Sequence, residues 1–255
     1  MKSYTEYEPL VEYVLRQADN TLILGHRLSE LCGHGPVLEQ DIAITNISLD
    51  LLGQSRMYLQ YAAELMGDGA TEDTLAFFRD GMQFRNCQLA ELPNGDFAHT
   101  IVKQFIFDSW HYYFTHALCN STDQRLREIA EKSLKEITYH RKFSSEWTIR
   151  LGDGTEESKG RMQTAIDNIW GYSGELSEAD QLDQKMASDG IGPELNTVKS
   201  LTDKYREEIL ERAGLEIPSD VFMQSGGKKG IHTEHHGYIL AEMQFVQRAY
   251  PGLNW

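Results

Sequence analysis

Gln104-Phe105-Ile106-Phe107-Asp108-Ser109-Trp110-His111-Tyr112-Tyr113 sets a carboxylate and an imidazole three residues apart inside an apolar, aromatic run. At 3.6 residues per turn, Asp108 and His111 share a helical face with Ile101, Phe105 and Leu118. That face points into a core, where a carboxylate is costly unless something pairs with it. The next stretch, residues 123–151, repeats the theme. Its apolar stripe runs Leu126, Ala130, Ser133, Ile137, His140, Ser144 and Trp147, with Glu136 one turn before His140. Two facing helices with inward acids and histidines mark a metal–carboxylate bundle, or the relic of one.

The neighbouring signals give the connectivity. Pro9 opens a first helix that Gly33 can end, with Val11, Val14, Leu15, Ala18 and Leu22 inward and Asp19 beside them. A second helix spans about 37–66; its apolar residues (Ile42, Ile47, Leu49, Leu51, Leu52, Met57, Leu59) surround much of the axis, which reads as heavy burial. Two short helical pieces follow, around 72–79 and 84–92. Asp96 caps the third long helix to about Cys119, and only Asn120-Ser121-Thr122 separates it from the fourth. Pair, long crossover, pair is the order of a ferritin-like four-helix bundle. The expected fold is therefore all-α and a single domain over residues 1–255, with a core bundle at about 9–151. Accessory helices fill about 156–250: one from 157 to 188, bent near Gly171 and Gly174, one from 193 to 213, and one from 233 to 250 that Thr233 caps.

Composition narrows the function. A formal charge of −15 argues against nucleic-acid binding, which needs clustered positive charge. The N-terminal residues lack the apolar core of a secretory signal, and no apolar run is long enough for a membrane span. Cys32, Cys87 and Cys119 are unpaired in spacing and read as reduced thiols of a cytoplasmic protein.

A di-iron bundle needs a carboxylate from each of two helices and a Glu-x-x-His from each of the other two. The candidates are Asp19, Asp50, Asp108, His111, Glu136 and His140. Gly53 stands three residues after Asp50 and Tyr139 three after Glu136, where histidines are required. One carboxylate-x-x-His survives, Asp108–His111, on a helix where the pattern asks for a lone acid. The count favours acid–histidine pairs in a polar core over a working di-metal centre, and it nominates no catalytic residue.

The run Ser225-Gly-Gly-Lys-Lys-Gly230-Ile-His-Thr-Glu-His-His-Gly237 admits several readings. It lacks P-loop spacing, and its histidines lack the His-Glu-x-x-His order of zinc proteases. Lys228 and Lys229 offer a contact for a coenzyme A phosphate or an acidic partner; the plainer reading is a flexible, solvated loop.

This run, with Asn46–Arg56 (NISLDLLGQSR), Glu72–Asp80 (EDTLAFFRD), Pro93–Ile101 (PNGDFAHTI) and Lys135–Trp147 (KEITYHRKFSSEW), resembles the C-subunit family of the multicomponent phenylacetyl-CoA epoxidase, the ring-hydroxylating phenylacetyl-CoA oxygenase of phenylacetate degradation. The resemblance covers nearly the whole chain. It implies a cytoplasmic, non-catalytic structural subunit with no metal of its own. Its implied partners are a di-iron catalytic A subunit, a small B subunit, and a reductase carrying flavin and iron–sulfur. Alternatives from the residues themselves are a di-metal oxidase and a coenzyme A-phosphate binding subunit. The second helix has more apolar circumference than a four-helix core needs, and the later helices add amphipathic faces at Ile166, Ile169 and Trp170 and at Ile239, Met243 and Val246; together these are the expected partner surface.

Overall fold

The computed structural model describes residues 7–253, which form helices and turns with no strand among them. Among these residues no helix is long and apolar enough to cross a membrane. The chain divides into two compact units, the first made of residues up to Pro93 together with those from Ser225 on, the second of Asn94–Gln224.

In the first unit, α1 (Pro9–Ser29) and α2 (Leu38–Met66) pair closely across a short connection. Pro9 sits in the first turn, where its missing N–H costs nothing. α1 stops four residues before Gly33, in a series of tight turns. Gly25 lets the helices approach: its carbonyl accepts from Ser48 Oγ at 2.7 Å, and a Cβ there would stand 3.1 Å from Leu52 Cγ. The core of the pair is Val14, Leu15, Ile23 and Leu24 against Ile47, Leu51 and Ala62. α2 is not wrapped on all sides, as its composition led us to expect. Leu38, Ile42 and Leu49 lie within about 40° of one another around its axis, and Ile42 and Leu49 are 51% and 61% exposed. α3 (Glu72–Phe77) is short; a 3₁₀ turn follows at 81–83, and the helical piece expected over 84–92 is a single 3₁₀ turn at 88–91.

In the second unit, α4 (Phe97–Leu118) and α5 (Gln124–Gly152) run antiparallel, Phe97 meeting Trp147 at one end and Tyr112 lying under Arg141 nearer the other. Asp96 and Asp123 cap them, accepting from His99 N at 3.0 Å and Leu126 N at 2.8 Å. α4 is the heavily buried helix, covered all round from Thr100 to His111, because α5, α6 (Glu156–Ile169) and α8 (Leu195–Ala213) all pack on it. The single bent helix expected over 157–188 is instead α6, two 3₁₀ turns and α7 (Gln181–Ser188). The backbone of residues 221–224 explains the break. Gln224 N donates to Gly171 O at 2.7 Å, and a Cβ on Gly171 would meet Phe222 O at 3.0 Å. α9 (Glu234–Ala249) belongs to the first unit.

The architecture is thus all-α, with one long helix pair, a crossover and a second long pair in the ferritin-like order.

Candidate functional site

Asp19 is fully buried on α1 and already has its counter-charge. Arg79 forks onto it, Nη1 to Oδ2 at 2.9 Å and Nη2 to Oδ1, and Arg85 N adds a bond to Oδ2 at 2.8 Å. Arg79 is itself anchored by the Leu75 carbonyl and lies 4.2 Å over the Phe84 ring. A bidentate guanidinium is a strong, geometrically selective partner for a carboxylate. Both oxygens of Asp19 are therefore committed to cationic or N–H partners. Asp50 is half-buried on α2. Gly53 faces open space, so a histidine there would point to solvent.

In the second unit Asp108, His111 and His140 are all buried, as their helical stripes require. Gln104 Nε2 donates to Asp108 Oδ1 at 2.6 Å. Burial pushes the Asp108 carboxyl up to about 6, against the opposing pull of His140 and of the neighbouring Ser144 and Gln104. Burial takes His111 down to about 3, with His140 adding to the effect. His111 is packed by the rings of Phe107 and Trp110, and its Nδ1 has no hydrogen-bond partner. Asp108 and His140, and His111 and His140, thus act on each other. Glu136 is half-buried one turn away, and Tyr139 is exposed. One carboxylate and two imidazoles sealed from solvent can hold a proton between them, but they fall short of a di-iron ligand set. Asp19, in the first unit, has both oxygens already engaged.

The sequence reading missed Glu91. It is fully buried on the 88–91 turn and takes four donors: His232 Nδ1 (2.5 Å) and Asn86 Nδ2 (2.8 Å) on Oε1, Thr233 N and Oγ1 (both 2.7 Å) on Oε2. His236 stacks on His232 with centroids 3.9 Å apart and planes 15° apart, and burial lowers it to about 4. The ligand atoms of Glu91, His232 and His236 lie within 4.8 Å of one another, which is metal-like spacing. Two nearly parallel, stacked ring planes have no nearby common point for an ion, because imidazole binds metal in its own plane. The cluster is instead a hydrogen-bonded latch from the final segment to residues 84–91. Thr233 begins α9 without a side-chain cap, because its hydroxyl serves Glu91.

The glycine run before the latch is a fitted loop rather than a loose one. A Cβ on Gly227 would strike Asn86 O at 2.0 Å, and one on Gly230 Met82 O at 2.4 Å. Lys229 N, Gly230 N and Ile231 N donate to carbonyls of the loop itself, so these amides do not form an anion nest. Lys228 is half-buried and Lys229 exposed.

Residues 2–255 match the family model described as phenylacetic acid catabolic protein. The chain is also 47% identical over 246 residues to the C subunit of the 1,2-phenylacetyl-CoA epoxidase of Escherichia coli (strain K12), an alignment that covers 96% of this chain and 99% of the relative.

Proposed function

Because the chain belongs to the phenylacetic acid catabolic protein family, we propose that it is the non-catalytic structural subunit of a cytoplasmic phenylacetyl-CoA epoxidase complex. In this reading it binds no metal, and the chemistry belongs to a di-iron catalytic subunit supplied with electrons by a flavin and iron–sulfur reductase, alongside a small B subunit. The observation that carries the reading is the fate of Asp19. Its two oxygens are engaged by Arg79 and Arg85, while positions 53 and 139 face outward. A bound iron would have to displace a buried guanidinium and leave Arg79 without its counter-charge. The subunit role draws on the exposed apolar stripe of α2, since contiguous apolar surface marks interaction sites.

Purified chain is expected to carry well under one iron per molecule, to co-purify with the di-iron subunit, and to be required for its turnover. Stoichiometric iron with a di-iron absorption band that vanishes in Glu136→Ala would overturn the non-catalytic reading. A catalytic subunit that is stable and fully active alone would overturn the structural one.

A further inference from the structure

Within the second unit, α8 carries Arg206 into the interior against α4. Its Nε donates to Ser109 Oγ at 2.7 Å and its Nη2 to the Ile106 carbonyl, both neutral partners. Arg206 is 4% exposed, yet no carboxylate among the described residues forms an ion pair with it. Asp203, one turn earlier, is held by Lys199. Burial draws the guanidinium down to about 10, with Asp203 only partly opposing. Buried charges persist when they are paired, and this one lacks its pair. Nη1 finds no acceptor among the described residues.

Arg206 also lines a cavity of about 290 Å³. Trp170, Ile217 and Met223 give it apolar walls, and the hydroxyl side chains of Ser173 and Ser177 also line it. We propose that this cavity binds a small organic monocarboxylate, with the carboxylate on Arg206 and an apolar body against Trp170, Ile217 and Met223. The charges select a monoanion. Lys199 and Asp203 cancel, and the exposed Glu207 at the rim disfavours a dianion. The volume is that of about ten waters at ~30 Å³ each, which suits a ligand of about ten non-hydrogen atoms. Mixed apolar walls with one convergent charged group are the usual make-up of a small-molecule site.

The test is calorimetric titration of the full chain, with thermal melting in parallel, using phenylacetate, hexanoate, acetate and inorganic phosphate. Phenylacetate or hexanoate should bind one saturable site at least tenfold more tightly than acetate or phosphate, and should raise Tm. Arg206→Gln, which keeps an N–H donor for Ser109 or Ile106, should weaken that binding at least tenfold. Glu207→Gln alters an exposed rim residue and should tighten it at least twofold. Absence of saturable binding, equal affinity for all four probes, or undiminished binding to a folded Arg206→Gln would each overturn the proposal. Should Arg206→Gln fail to fold, an unchanged affinity in Glu207→Gln overturns it.

Discussion

Asp19 and Arg79 are each expensive to bury and become tolerable through the other. Asp19→Ala strands the guanidinium and should cost about 3–5 kcal/mol in urea denaturation, whereas Glu131→Ala, on an exposed position of α5, should stay within about 0.5 kcal/mol. Comparable small losses from both would show that the pair contributes little. The titrating groups make a second test. His111 and His236 have folded values below the ordinary 6.5, so the stability they confer is present above pH 6.5 and is lost as pH falls. Asp108 is raised to about 6, so its contribution has the opposite sign: the folded state takes up its proton first as pH falls towards 4. Between pH 6 and 4 these groups put about two protons on the unfolded chain and about one on the folded chain, a loss of about 1.4 kcal/mol per pH unit. His111→Gln should remove about one of those protons and flatten the urea midpoints measured at pH 6, 5 and 4; an unchanged slope would contradict the assignment. The burial of Asp19, Asp108, His111 and His140 was readable from 3.6-residue periodicity. Arg79 and Glu91 were not, because each follows or sits in a turn too short to carry a period, and only contacts distant in sequence give them their role.

At the scale of elements, local chemistry and distant contacts divide the helix ends. Asp96 and Asp123 cap α4 and α5 as their spacing implies, and Asp123→Ala should cost about 1 kcal/mol. Thr233 occupies the equivalent place before α9 but bonds a buried carboxylate, so Thr233→Ala should cost more, about 1.5–3 kcal/mol. Equal losses for the two, measured by chemical denaturation, would mean that Thr233 acts as an ordinary cap. The break between α6 and α7 was unreadable for a related reason: the glycines were visible, while the chain that crosses them arrives some fifty positions later. The faces expected to meet a partner divided. Ile166, Ile169, Trp170 and Ile239 are buried, whereas Val246 is exposed and α2 shows apolar surface at Ile42 and Leu49; Tyr238 and Phe245 on α9 are exposed as well. Amphipathic periodicity identifies an apolar face but not the element that covers it. Ile42→Lys combined with Leu49→Lys should leave Tm within a few degrees of the parent and abolish co-purification with the di-iron subunit. Retained co-purification would place the interface elsewhere.

At the scale of the whole molecule, the helix order was legible because caps, glycines and stripes are local signals that recur along the chain. The division into two compact units was not, because it depends on where the last segment returns. An obligate interface buries on the order of 2,000 Å² or more, so the chain purified alone should self-associate, and addition of the catalytic subunit should replace that species with a defined hetero-oligomer in light scattering. A strictly monomeric, fully soluble chain at high concentration would count against the subunit role. The nested arrangement of the first unit also sets a timetable for synthesis. Residues 94–224 are contiguous and can close as soon as they leave the ribosome, whereas Glu91 waits for His232, which follows it by 141 positions. At roughly 5–20 residues per second that interval is roughly 7–28 s. Until it ends, the first unit is open at its latch, so a nascent chain released before Ser225 contains a finished second unit and a first one that cannot be sealed.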